Sequence, residues 1–180
     1  DLLTAIGFNE QTGEKFLTDI IAEAHHKGHS IGCVMAQEDN VMGINNRVDL
    51  SRAERIIQQR LRHKAMMEGV TLIDPDSVYL NADAVIAQDV IIHPHVVIGG
   101  GVRIGEGAEI KSFCHIEGAD IGACAVIGPY ARLRQGTVLE EGVKIGNFVE
   151  TKNITMGAMA KANHLTYLGD AEIGEGANIG

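Results

Sequence analysis

The stretch from Glu150 to Glu172 concentrates side chains that could do chemistry. It holds Lys152, Lys161, Asn163, His164 and Tyr167, and Arg132 and Arg134 lie shortly before it. A histidine exchanges a proton near neutral pH. Arginine and lysine neutralise an anionic group, arginine in two-pronged fashion. Tyrosine and asparagine add neutral hydrogen bonds. Taken singly, each residue also has a plain structural reading: a loop histidine, cations solvated at turns, a packing tyrosine with its hydroxyl in water. The case for a site rests on their position in a larger pattern.

That pattern is a period of six. From Ile86 it steps through Ile92, Ile98, Ile104, Ile110 and Ile116, then by five to Ile121, then through Ile127, Leu133, Leu139 and Ile145. The fourth residue after each anchor is small or branched, as at Val90, Val96, Val102, Ala108 and Ala125, and glycine often follows the anchor, as at Gly99, Gly105, Gly122, Gly128 and Gly146. Neither a helix nor an alternating strand has this period. Hexapeptide repeats belong to parallel β-helices, whose coils bury their anchors only against neighbouring coils. The phase is expected to lapse between Glu150 and Ile173. A solenoid that loses its register in one place invites a site there.

Before residue 70 the texture is different. Thr18-Asp19 open a short helix over Ile20, Ile21 and Ala24 that Gly28 stops, with His25, His26 and His29 at an exposed end. Ser30–Met35 reads as a buried strand, and residues 43–47 as a loop. Ser51 and Glu54 form a capping box, predicting a helix to about Glu68. The expected organisation is 1–50 as the end of an α/β domain, 51–69 as a linker helix and 70–180 as an all-β helix.

Composition narrows the partners. The net charge of −9 disfavours nucleic acid and anionic membranes, which require basic surfaces. No apolar run nears the roughly 20 residues of a membrane span. Three cysteines, without disulfide or metal spacing, suggest a reducing, cytoplasmic setting, with Cys114 and Cys124 expected as small core residues. His93, His95 and His115 lack a cysteine or carboxylate to complete a metal set.

The repeat resembles the hexapeptide acyltransferase family, which implies left-handed coils of about three hexapeptides. Three longer words narrow the resemblance: Gly-Pro-Tyr-Ala-Arg-Leu-Arg (128–134), Gly-Asn-Phe-Val-Glu-Thr-Lys (146–152) and His-Leu-Thr-Tyr-Leu-Gly-Asp-Ala-Glu-Ile-Gly (164–174). They are similar to those of the bacterial bifunctional glucosamine-1-phosphate N-acetyltransferase/N-acetylglucosamine-1-phosphate uridyltransferase family. Thr18-Asp19-Ile20-Ile21 and Gly43-Ile44-Asn45-Asn46-Arg47 resemble the end of that family's uridyltransferase half, a Rossmann-like nucleotidyltransferase domain.

The resemblance implies His164 as the general base of acetyl transfer from acetyl-CoA. It implies that Arg134, Lys152, Tyr167 and Asn178 hold glucosamine-1-phosphate. Asn45 matches a residue contacting uridine nucleotide and magnesium, with an aspartate outside this chain. The full parent would use UTP to make UDP-N-acetylglucosamine for cell-wall and lipopolysaccharide precursors, as a homotrimer with sites between neighbours. By the same resemblance the nucleotide loop lies before Asp1 and further coils, with acetyl-CoA contacts, lie beyond Gly180, so the chain reads as a fragment incomplete for both activities. Two alternatives remain open at this point. One is another nucleotidyltransferase whose β-helix is structural or regulatory, without acetyl transfer. The other is a non-enzymatic scaffold, which would keep its exposed faces regular.

Overall fold

A hexapeptide buries its anchor only if the next coil repeats it in register. The computed structural model, which describes residues 1–180, meets that demand with short parallel strands. Val97–Ile98 pairs with His115–Ile116, which pairs in turn with Arg132–Leu133. Beyond the first pair, Thr71 with Ile91 at twenty, partners lie seventeen or eighteen residues apart, three hexapeptides to a coil.

The coils present three faces. The first runs through Thr71–Leu72, Ile91–Ile92, Glu109–Ile110, Val126–Ile127, Lys144–Asn147, Lys161–His164 and Asn178–Ile179. The second runs from Tyr79–Leu80 through Val97–Ile98, His115–Ile116 and Arg132–Leu133 to Glu150–Met156. The third passes from Val85–Ile86 through Arg103–Ile104, Ala119–Ile121 and Thr137–Leu139 to that same strand. The expected anchors form the core: Ile92, Ile98, Ile110, Ile116, Ile127, Leu133, Leu139 and Ile145 are fully buried.

The expected lapse in phase does not occur. After Ile145 the inward positions continue at Thr151, Met156 and Ala162, all buried, then at Leu168, Ile173 and Ile179. The steps are six, five, six, six, five and six, the fives repeating the shortened corner between Ile116 and Ile121. Two substitutions disguise the ladder, because Thr151 and Ala162 stand where an isoleucine or leucine is usual. Removing one residue at a corner also lets Glu150–Met156 run unbroken from the second face to the third. Glu150 and Thr151 pair with Arg132 and Leu133, while Ile154, Thr155 and Met156 pair with Thr137, Val138 and Leu139. Tyr167–Ile173 repeats this long strand one coil on.

One corner carries a column of residues in the left-handed region: His95, Phe113, Tyr130, Phe148 and Leu165, with φ between 50° and 65°. The rings of the first four stack, with centroids 5.1, 4.8 and 5.3 Å apart. His93 instead meets Glu109 at 2.9 Å on the first face. Cys114 is buried as expected, and burial pushes its thiol up to about 11. Cys124 is not a core residue; it is exposed, because it occupies a corner at φ 56°.

The chain forms two compact units, Asp1–Gly43 and Ile44–Gly180. The first contains helices α1 (Leu2–Ala5), α2 (Ile20–His26) and α3 (Glu38–Val41). Its α2 ends as expected, with Gly28 at φ 75° and its N–H donated to the His25 carbonyl. The expected strand over Ser30–Met35 is absent, and Val34 and Met35 are 91% exposed. A strand needs a ladder partner, and this unit contains no other strand; no Rossmann-like sheet appears in it.

The second unit opens with helix α4 (Arg47–Met67), which starts a turn earlier than Ser51 would set it. Asn46 is the cap, its Oδ1 accepting from the N–H groups of Val48 and Asp49 at 2.9 and 3.0 Å. Asp49, three residues on, accepts from the Asn45 N–H. Asn46 thus supplies the N-terminal cap before Ser51 is reached. The helix covers the open edge of the first coil. Gln58 donates from Nε2 to the Leu80 carbonyl (2.8 Å) and accepts from the Leu80 N–H (3.0 Å). Arg62 donates to the Val78 and Asp76 carbonyls. Gln58→Leu strips both partners from a buried edge residue and is expected to cost about 1–3 kcal/mol. An unchanged midpoint in chemical denaturation would refute that role.

Candidate active site

Stacking at seventeen- and eighteen-residue offsets decides which side chains meet. On the second face Arg132, Glu150 and Tyr167 share one row, Arg132 opposite Glu150 and Glu150 opposite Tyr167. Two residues along, a parallel row holds Arg134, Lys152 and Gly169. The Arg134 N–H bonds to the Thr151 carbonyl, and Lys152 is opposite Gly169. Residues two apart on a strand share a face, so the two rows form one outward patch.

Glu150 organises that patch. Its Oε1 accepts from Arg134 Nη1 at 2.9 Å and lies 3.9 Å from Arg132 Nη1. Arg132 and Arg134 share this one carboxylate and Lys152 adds a third cation to the same face, so the patch is locally positive on a chain whose net charge is −9. Beneath it, Thr137 Oγ1 donates to the Arg134 carbonyl at 2.7 Å and lies 2.9 Å from Thr151 Oγ1. Because the Thr137 proton is committed, Thr151 is the donor between the two hydroxyls. The polar anchor that disguises the ladder therefore steadies the backbone under Arg134.

His164 ends the strand Lys161–His164 on the first face, opposite Asn147, and its side chain is exposed. Leu165 and Thr166 turn the corner from it to Tyr167. That corner is held by Leu165 N–H to the Asn147 carbonyl, Glu150 N–H to the Thr166 carbonyl, and Thr166 Oγ1 to the His164 carbonyl. Asn178 is exposed on the first face, one coil beyond Lys161, and its Oδ1 accepts from Asn163 Nδ2 at 2.8 Å.

Of the residues singled out from the sequence, Arg134, Lys152 and Tyr167 thus come together on one face. His164, Asn163 and Asn178 lie across a single corner from them. Asn45 does not join this cluster. It stands at the entrance to α4, which covers the first coil at Val78–Leu80. Four ladder steps separate Tyr79 from Glu150, about 19 Å at the usual strand spacing. Sequence reasoning missed Glu150 and Gly169. The signal for Glu150 was present, since it follows Arg132 by one eighteen-residue coil.

An exposed imidazole beside a cationic patch with a phenol can take a proton from a nucleophile whose anionic end is held nearby.

Comparison with known proteins agrees with this architecture. Residues 83–118 match the family model "Bacterial transferase hexapeptide (six repeats)", whose fold is the left-handed parallel β-helix expected from the resemblance. The chain is 48% identical over 179 residues to the bifunctional protein GlmU of Azorhizobium caulinodans, covering 99% of this chain and 40% of that protein. It is 47% identical over 180 residues to the GlmU of Agrobacterium fabrum, covering 100% and 40%. The GlmU of Gluconobacter oxydans is 49% identical over 178 residues, covering 99% and 40%. The chain thus spans about 40% of the length of the curated relatives it matches. Among solved structures, the acetyltransferase domain of PglB from Neisseria gonorrhoeae, in complex with acetyl coenzyme A, overlaps with a TM-score of 0.48 at 19% identity, covering 69% of this chain and 62% of that one.

Proposed function

We propose that this chain, 47–49% identical to bifunctional GlmU proteins over the stretch it spans, belongs to that family and supplies the acetyl-acceptor site of such an enzyme. The reaction is acetyl transfer from acetyl-CoA to the amine of glucosamine-1-phosphate. The observation that carries this reading is the cationic row of Arg134 and Lys152, with Arg134 held by Glu150, set one corner away from the exposed His164.

Arg134 and Lys152 hold the phosphate, and Tyr167 and Asn178 hydrogen-bond the sugar or phosphate. His164 removes a proton as the amine nitrogen attacks the thioester carbonyl. The carbon–nitrogen bond forms, the carbon–sulfur bond breaks, and coenzyme A leaves as a thiolate that is then protonated. The site is open, with Tyr167 59% exposed. That openness supports a homotrimer in which a neighbouring chain encloses each site.

The reading extends to the parent protein. Its other activity would be uridylyl transfer from UTP, giving UDP-N-acetylglucosamine for cell-wall and lipopolysaccharide precursors in the cytoplasm. The proposed division is 1–50 for the end of the uridyltransferase domain, 51–69 for the linking helix and 70–180 for the acetyltransferase domain. Asn45 would contact uridine nucleotide. It offers magnesium a single amide oxygen, and no cluster of carboxylates or histidines in the chain completes a set. Asn45 by itself does not make a magnesium site.

The deciding experiment follows coenzyme A release with glucosamine-1-phosphate and the full gene product. Acetylation of the amine is expected. No release, with uridylyl transfer intact, would favour a nucleotidyltransferase carrying a structural β-helix.

A further inference from the structure

Gly169 lies inside the strand Tyr167–Ile173, opposite Lys152. A glycine in a strand interior gives up packing and chain entropy, so its presence asks for a reason. Backbone conformation does not supply one, because Gly169 lies outside the left-handed region. Nor is a neighbouring coil the first thing an added methyl group would meet. A Cβ on Gly105 or Gly122 would strike backbone of the next coil, whereas the atoms nearest a Cβ on Gly169 all belong to Tyr167. They are Oη at 2.5 Å, Cζ at 2.7 Å and Cε1 at 2.8 Å.

The Tyr167 ring therefore lies along its own strand, with the hydroxyl resting over the bare Cα of Gly169. Gly169 belongs to the row of Arg134 and Lys152, while the Tyr167 backbone belongs to the row of Arg132 and Glu150. Folding the ring over Gly169 carries the hydroxyl out of the row of Arg132 and Glu150 and into the row of Arg134 and Lys152. The next residue holds this arrangement at the corner: Asp170, at φ 49°, accepts from Asn153 Nδ2 at 2.8 Å, and Asn153 is also at φ 49°.

We propose that Gly169 is a positioning residue whose missing side chain seats the Tyr167 hydroxyl beside Arg134 and Lys152, where it donates to the phosphate of the acceptor. The proposal rests on the reading that this row holds glucosamine-1-phosphate. Alanine at 169 fits the backbone conformation, and the first atoms in its way are the free end of an exposed side chain. The fold is therefore retained and the phenol is displaced.

The test compares Gly169→Ala, Tyr167→Phe and the double variant in the full gene product. KM for glucosamine-1-phosphate is measured at saturating acetyl-CoA, and the crystal structure of Gly169→Ala is determined. Each single variant is expected to raise that KM roughly tenfold or more, as for a lost hydrogen bond to a charged group. KM for acetyl-CoA and the melting temperature should stay near wild type. The double variant should be no worse than the poorer single one, and the crystal structure should show Oη moved off residue 169. If Tyr167→Phe leaves KM unchanged, the assignment of the row to substrate falls and takes the proposal with it. If Tyr167→Phe raises KM but Gly169→Ala does not, or the two effects multiply, the seating of Tyr167 by Gly169 falls alone.

Discussion

His164→Ala is expected to lower acetyl transfer by about 10²–10⁴-fold, the usual range for losing a positioned general base. Uridylyl transfer by the full gene product should stay nearly unchanged. The side chain is exposed, so its removal opens no cavity in the core. The backbone of His164 keeps its place opposite Asn147, and the corner bonds of Leu165 and Thr166 use backbone groups and the Thr166 hydroxyl, not the imidazole. The loss should therefore be chemical, not structural. A second signature follows from the role. Without a base, the reaction depends on amine that is already deprotonated. The deficit relative to wild type should shrink as pH rises toward the pKa of the substrate amine. The check is a pair of pH–rate profiles for acetyl transfer, with uridylyl transfer measured on the same preparations. Near-normal acetyl transfer in the variant would remove His164 from the mechanism. Parallel losses of both activities would show that the substitution damages the protein as a whole.

The ladder and the site differ in how openly the sequence declares them. The anchors from Ile92 to Ile145 are legible because one physical demand, burial against the next coil, repeats at a fixed interval. Legibility fails where that demand is met by an unusual residue. Thr151 is fully buried, yet its hydroxyl bonds to Thr137, so a polar letter stands for an inward position. Ala162 is buried although it is smaller than the usual anchor. With those two and two shortened corners, an unbroken coil reads as a broken one. His164 and Tyr167 lie on this same stretch, but on a coil that continues the ladder, so no break in register singles them out. Glu150 escaped notice because an ion pair across coils is visible only once the eighteen-residue offset is applied. Ser51 and Asn46 are both good caps, and local chemistry alone does not choose between them. Ser30–Met35 has the composition of a strand, but composition does not provide a ladder partner.

The glycines after the anchors show the same limit from another side, and they yield the second large effect. Their spacing suggests turns. Yet Gly105, Gly122 and Gly146 have no left-handed backbone, and a Cβ on each would meet backbone atoms of the following coil. Gly146 is the extreme case: its Cβ would fall onto the Asn163 carbonyl oxygen, with Asn163 C at 2.6 Å and Cα at 3.2 Å. Both partners are ladder backbone, held at a fixed strand spacing, so neither can rotate away. Gly146→Ala is therefore expected to destabilise the β-helix by about 1–3 kcal/mol or more, as overpacking does. It should also weaken acetyl transfer, because Asn163 adjoins His164 and bonds to Asn178. Denaturant midpoints measured on Gly146→Ala and Gly169→Ala together make the test sharp. Each adds one methyl group to a strand glycine outside the left-handed region. At 146 the methyl meets immovable backbone, so stability should fall. At 169 it meets a movable phenol, so stability should hold while binding of the acceptor falls. A Gly146→Ala protein that unfolds at the wild-type midpoint would show that the coils can part to admit a methyl group, and the close approach of backbones would no longer explain why glycine follows the anchors.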